Sequence, residues 1–102
     1  MNKTTKKQFD KFLTRLFVLQ RECFKSGSGS SLEVRPVWDG DFTIYVLADN
    51  KNVNKWIEHE DGTKEPYHFE HFPLYSFYSV EENEEQMKKI KDFLTDTDNE
   101  QH

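Results

Sequence analysis

Three of the chain's four histidines, His59, His68 and His71, fall within thirteen residues of one another, with Glu58, Glu60 and Glu70 beside them. Imidazole and carboxylate are the donors that zinc and related ions use. A site drawn from His59, His68 and Glu70 would support metal-dependent hydrolysis. The spacing argues against it, because His68 and His71 are three apart and land on opposite faces of an extended chain. No His-x-His pair or helical His-x-x-x-His pair supplies the convergent set that a divalent ion demands. The expectation is surface histidines and no cofactor.

Cys23 is the only cysteine, so no internal disulfide can form. It falls on an apolar helical stripe, with neither an electropositive setting nor a base beside it in sequence, and reads as a structural thiol. The chain contains no Gly-rich phosphate loop, no Gly-x-Ser-x-Gly elbow and no His-Glu-x-x-His. No residue set supports an enzyme.

Charge offers two binding chemistries. The net charge of −5 is unevenly spread, with +5 in residues 1–30, −3 in residues 31–60 and −7 in residues 61–102. Lys7, Lys11 and Arg15 are successive i, i+4 neighbours that could meet phosphates. The order helix, strands, helix is also that of a double-stranded RNA-binding domain. That module needs a basic start to its second helix, however, and Glu81 to Glu85 is the reverse. Glu81, Glu82, Glu84 and Glu85, continued by carboxylates to Asp98 and joined by Glu58, Glu60 and Asp61, could instead imitate a phosphate backbone. Aromatic side chains offer a third surface, with Trp38, Trp56 and Tyr78 as the candidate contact residues.

The rings are densest in one stretch, Tyr67 to Tyr78, where six of twelve residues are aromatic. At period two, Tyr67, Phe69, His71, Tyr75 and Phe77 share one face. His68, Glu70, Phe72, Leu74, Ser76 and Tyr78 share the other. Pro73 interrupts the pairing. So much ring area at that period predicts a sheet packed against other elements.

Those elements are legible to either side. Phe9, Phe12, Leu13, Leu16, Leu19, Cys23 and Phe24 recur at three and four residues and predict a helix over 4–25, capped by Thr4 or Thr5. Val18 is the apolar misfit on its polar face. Residues 26–31 form a Gly/Ser connector. Leu32 to Trp38 predicts a strand that Pro36 confines to an edge or a bulge, and Asp39-Gly40 predicts a hairpin turn. Phe42 to Ala48, apolar on both faces, predicts the central strand, followed by a loop at residues 49–52. A second hairpin flanks Asp61-Gly62. Ser79 with Glu82 forms a capping box opening a helix over 80–94, whose apolar face is Met87, Ile90, Phe93 and Leu94. Glu84–Lys88 and Glu85–Lys89 stand at pairing distance on it. Residues 95–102 read as a frayed acidic tail.

The expected architecture is α+β: an N-terminal amphipathic helix, an antiparallel meander of four to five strands and a C-terminal helix, in two layers within one domain of residues 1–102. Only 34% of the chain is hydrophobic, but 15% is aromatic, which argues against disorder. No apolar run approaches the roughly 20 residues of a membrane span, and the basic N-terminus leads into an amphipathic pattern, not a signal core. The expected location is the cytoplasm. Ala48 is the only alanine while Lys, Asn, Phe and Glu are plentiful, a usage that AT-rich coding produces in many bacteria and phages. The functional expectation is a small acidic protein-binding module, of the kind phages and mobile elements use to mask or inhibit a host protein. Nucleic-acid binding through Lys7, Lys11 and Arg15 is the alternative.

Overall fold

Thr5 decides where the first helix begins. Its hydroxyl accepts the Gln8 N–H and the Gln8 carboxamide oxygen accepts the Thr5 N–H, a closed capping box. From there α1 runs over Lys6–Ser26 and stops at Gly27, whose φ of 62° is the left-handed cap that glycine adopts without strain. Thr4 does not take part. It is buried, and its N–H reaches the carbonyls of Ser76 and Tyr78. In this computed structural model, residues 2–27, 29–38, 40–53 and 55–96 are described. Asp39 of the expected Asp39-Gly40 turn, Ser28 of the connector, and residues 97–102 with Asp98 and most of the expected tail lie outside them.

Six strand segments follow: β1 (Ser30–Trp38), β2 (Phe42–Asn50), β3 (Lys55–Glu58), β4 (Lys64–Tyr67), β5 (Phe69–His71) and β6 (Leu74–Tyr75). The second helix, α2, spans Val80–Thr95 behind the expected Ser79/Glu82 capping box. The α+β class and the order helix, strands, helix stand as expected. The strands, however, do not form one meander. β2 is central, with β1 on one side and both β5 and β6 on the other, while β3 and β4 pair only with each other. The reason lies in what each segment can bury. Residues 56–66 are exposed throughout, so that hairpin has no face to lay on a core. The next segment has Phe72 and Leu74, and it takes the place beside β2.

β5 and β6 are one interrupted strand in a single register. Phe69 faces Asp49, His71 faces Leu47, Leu74 faces Ile44 and Tyr75 faces Thr43. The hydrogen bonds of this ladder fall on even-numbered residues: Asn50 N–H to His68 O, Phe72 N–H to Val46 O, and Ser76 N–H to Phe42 O. Antiparallel ladders alternate inward and outward backbone groups. Pro73 therefore stands where an N–H would point away from β2, and its missing donor costs no ladder bond. Pro36, opposite Ile44 on β1, is placed by the same alternation, since Lys51 N–H to Gly29 O sets the odd residues as the bonded pairs there. Both prolines lie on edges, as Pro36 alone was expected to.

Both edges are also capped by side chains. The outward carbonyl of Leu32 accepts the Gln20 amide at 2.8 Å. On the other side Asn83 gives Tyr75 both halves of a strand partner: its Oδ1 accepts the Tyr75 N–H at 3.2 Å and its Nδ2 donates to the Tyr75 carbonyl at 2.9 Å. Gln86 donates to the Pro73 carbonyl. Strand addition at these places is blocked.

The even-numbered side chains of the sheet face the helices. Phe9, Phe12 and Leu16 of α1 meet Leu32, Ile44, Val46, Ala48, Phe72 and Leu74, with Met87, Ile90, Phe93 and Leu94 of α2 closing the core. Val18 is exposed, as the pattern required. Phe24 is a correction. The helical spacing assigns it to the apolar stripe, yet it is 88% exposed. The cleft beside it is lined by Gln20, Cys23 and Leu32 and otherwise by Gly27, Gly29, Ser30 and Ser31, which are too small to cover a ring.

Asn50 is a second correction. The polar run at residues 49–52 reads as a loop, but Asn50 ends β2 completely buried. Its Nδ2 donates to the carbonyls of Phe93 and Asp96 at 2.8 Å and of Leu94 at 3.3 Å, and its Oδ1 accepts the Asn52 N–H. One amide from the sheet thus adds to the hydrogen bonding of the carbonyls at the end of α2, where the Asp96 N–H reaches that of Phe93 and the Ser30 hydroxyl that of Leu94. Asn83, equally buried, ties the start of α2 to β6 and to the Thr4 hydroxyl.

Candidate functional site

The odd-numbered side chains of the sheet look away from both helices. From β1 these are Glu33, Arg35 and Val37, from β2 Thr43, Tyr45, Leu47 and Asp49, and from β5 and β6 Phe69, His71 and Tyr75. Among the described residues no helix lies on this side, although Thr43 is buried within it. Tyr45 is 47% exposed, Phe69 43% and Phe77, just past β6, 48%.

The rings fall into two groups. At the β6 end Tyr75 and Phe77 are stacked at 4.8 Å, and Tyr78 stands edge-on to both at 5.0 and 5.2 Å. Partial burial first, then charge repulsion from Tyr45 and Tyr78, holds the Tyr75 phenol above its ordinary range. Tyr45 lies diagonally across the ladder from Tyr75, which faces Thr43. At the other end Tyr67, Phe69 and His71 form an edge-to-face series at 5.5 and 6.3 Å. These rings offer apolar area and polar rims, with no nucleophile and base in reach of each other. They suit contact with another surface.

The histidines do not converge. His59 Nε2 lies 3.2 Å from Glu65 on the detached hairpin, while His68 Nδ1 faces the Val53 carbonyl and Glu70 sits on β5 opposite Ala48. Among the described residues no group of three or more His, Cys, Asp and Glu side chains is placed to hold a metal. Cys23 is half-buried, and desolvation pushes its thiol up, away from the reactive thiolate.

The two charged surfaces expected from sequence partly use each other. Arg15, the last of the basic series, holds Glu84 of the acidic series through both guanidinium nitrogens, with Nη2 to Oε2 at 3.1 Å, and lies over the Phe12 ring. Glu84 therefore faces α1, and neither Glu84–Lys88 nor Glu85–Lys89 closes among the described residues. Glu82 is occupied in the capping box. Glu81, Glu85, Lys7 and Lys11 are exposed. Trp56 is exposed on β3 opposite Pro66, and Trp38 is 75% exposed at the end of β1, stacked on Phe42 at 5.6 Å.

Hydrogen bonding from Arg15 draws the Glu84 carboxyl below the ordinary carboxylate range, partial burial opposes this, and the guanidinium charge adds to it. A folded pKa below the unfolded one means the pair stabilises the fold above the unfolded value of about 4.3. That contribution is lost as pH falls through the folded value. With both side chains about half exposed, solvent screening limits the pair to about 0.5 kcal/mol. Glu84→Gln is therefore expected to lower urea stability by that amount at neutral pH, and the difference from the parent protein should disappear at low pH and in high salt.

Tyr45, Phe69 and Phe77 are the surface residues that sequence reasoning did not single out. The period-two pattern already set Phe69 and Phe77 beside Tyr75; the missing signal was which side the helices would cover. Among the described residues no helix is long and apolar enough to cross a membrane. Comparison with protein families, with curated proteins and with solved structures finds no match to this chain.

Proposed function

We propose that this chain is a protein-binding module, acting by masking a partner, whose contact surface is the open aromatic face of the sheet. The observation that carries this reading is that Tyr45, Phe69 and Phe77 stand 43–48% exposed on the side of the sheet where, among the described residues, no helix lies. Large exposed apolar patches on small proteins mark interaction sites, and aromatic rings dominate interface energetics. With Leu32, Tyr75 and Pro73 on the two edges held by Gln20, Asn83 and Gln86, docking on the face is favoured over strand addition at those places. Nucleic acid is the weaker reading. Several rings already pack on one another instead of standing free for bases, the free lysines Lys7 and Lys11 are on α1 behind the sheet, and the net charge is −5.

The test is capture from an extract of the native host, with three baits compared by mass spectrometry and each checked for folding by circular dichroism. A partner bound by the parent protein should be lost at least tenfold with Tyr45→Ser/Phe69→Ser/Phe77→Ser and retained with Glu81→Lys/Glu85→Lys. The opposite pattern would move the contact to α2. A DNA or RNA mobility shift that fades steeply with salt, and fails with Lys7→Glu/Lys11→Glu, would replace this reading with the nucleic-acid one.

A further inference from the structure

A separate cleft of about 710 Å³ opens between the first turns of α1 and the far end of the β1–β2 hairpin. Its size is within the roughly 300–1,000 Å³ of small-molecule sites. Phe9, Leu13, Pro36, Trp38 and Phe42 form its walls. Trp38 is one of the most exposed large apolar side chains described, and its ring stacks on Phe42 as an open wall with no cover.

At the mouth the chemistry changes. Lys6 and Lys7 both line the cleft, and the Lys6 ammonium stands 5.6 Å from the centroid of the Phe42 ring. Asp10 is the one carboxylate in the lining, so the cations outnumber it two to one in a chain that is acidic as a whole. Among the described residues neither lysine has an ion-pair partner.

We propose that this cleft binds an anionic amphiphile, a small molecule with a single carboxylate on an apolar chain, the chain against Trp38 and Phe42 and the carboxylate at Lys6 and Lys7. The walls decide between this occupant and a peptide. A peptide brings an amide donor and acceptor with every residue, and each needs a partner once buried. Among the side chains of the walls only the Trp38 indole N–H and the Thr43 hydroxyl could serve as such partners, too few for successive amides, and Pro36 has no N–H of its own. A ligand with one charged end and an apolar body leaves nothing unsatisfied. Val37 and Thr43 of the open sheet face also line the cleft, but Lys6, Lys7, Trp38 and Phe42, which carry the proposal, are distinct from Tyr45, Phe69 and Phe77.

Trp38 reports on its own occupancy. The protein has two tryptophans, and Trp56→Phe, at an exposed position of the detached hairpin, leaves Trp38 as the sole tryptophan emitter, excited selectively over the four tyrosines. Dodecanoate, kept below its micelle concentration, should produce a saturable blue shift of Trp38 emission with one ligand per chain. Dodecyltrimethylammonium, of the same chain length, should bind at least tenfold more weakly. Adding Lys6→Glu/Lys7→Glu, on exposed positions of a helix start, should weaken dodecanoate at least tenfold and reverse the headgroup preference. The proposal is overturned by the absence of a saturable shift, by equal response to the two headgroups, or by lysine reversal that leaves dodecanoate affinity unchanged. It is also overturned if Trp38 emission shifts with protein concentration alone, which would assign the cleft to a second copy of the chain.

Discussion

Asn50→Ala is expected to lower the free energy of unfolding by about 3 kcal/mol, on the order of a 15 °C fall in Tm for a domain this size. The residue is completely buried, and its side-chain amide is shared by three carbonyls at the end of α2. Truncation removes those donors, together with the acceptor that shapes the Asn50–Asn52 turn, and leaves a small void. Leu94 keeps the Ser30 hydroxyl and Phe93 the Asp96 N–H, so the cost comes from several buried bonds lost at once and from the void. Asn50→Asp sharpens the expectation. It keeps the shape but replaces the amide donors with a carboxylate facing carbonyl oxygens at the negative end of a helix. It should therefore be at least as destabilising as alanine near neutral pH, and recover in part as acid protonates it. Urea denaturation of the three proteins at two pH values checks this; an aspartate variant as stable as the parent would show that the amide donors carry no weight.

Asn83 has a comparable effect with a second consequence. Asn83→Leu, similar in volume, should cost about 3 kcal/mol, because the Tyr75 N–H and carbonyl lose their partner and the Thr4 hydroxyl loses a donor. Those two Tyr75 groups point outward from the sheet edge. Freed of Asn83, they offer another chain the start of a strand, so the variant should also associate as concentration rises. Asn83→Asp keeps the acceptor for the Tyr75 N–H and loses both donated bonds, so it should fall between the parent and leucine in association. Sedimentation velocity over a range of concentrations separates the two effects. A destabilised but strictly monomeric leucine variant would mean that Pro73, with its carbonyl held by Gln86, is sufficient protection for this edge.

These two asparagines also mark where sequence reasoning stops. Nothing in Asp-Asn-Lys-Asn distinguishes a loop from a strand end, because the groups that Asn50 serves are more than forty residues away. Asn83 sits among glutamates and reads as one more polar helix residue. Its partners, Thr4 and Tyr75, are brought to it only by the turn before α2. The Arg15–Glu84 pair has the same origin: local spacing offered Glu84 a lysine one turn away, and the packing of α1 beside α2 offered it a better-shaped guanidinium. For the candidate binding surface, alternation set Phe69, Tyr75 and Phe77 apart from Phe72 and Leu74, but it misplaced Tyr78, which follows the end of β6 and stands edge-on to Tyr75 and Phe77.

What the sequence determined by itself was everything governed by near neighbours. Thr5 with Gln8 and Ser79 with Glu82 start the helices, Gly27 ends the first, and the turn at Gly62, with φ 86°, closes the second hairpin. The two-sided apolar run makes β2 central, and period two divides the aromatic stretch. These depend on backbone geometry and on bonds a few residues long. Only the tertiary structure decided that Lys55–Tyr67 leaves the sheet, that Phe24 outruns its cover, that both helices take the even-numbered side of the sheet, and that Tyr45, Phe69 and Phe77 are left open. Each of those outcomes is a competition for one limited buried surface, and the winner depends on every segment at once.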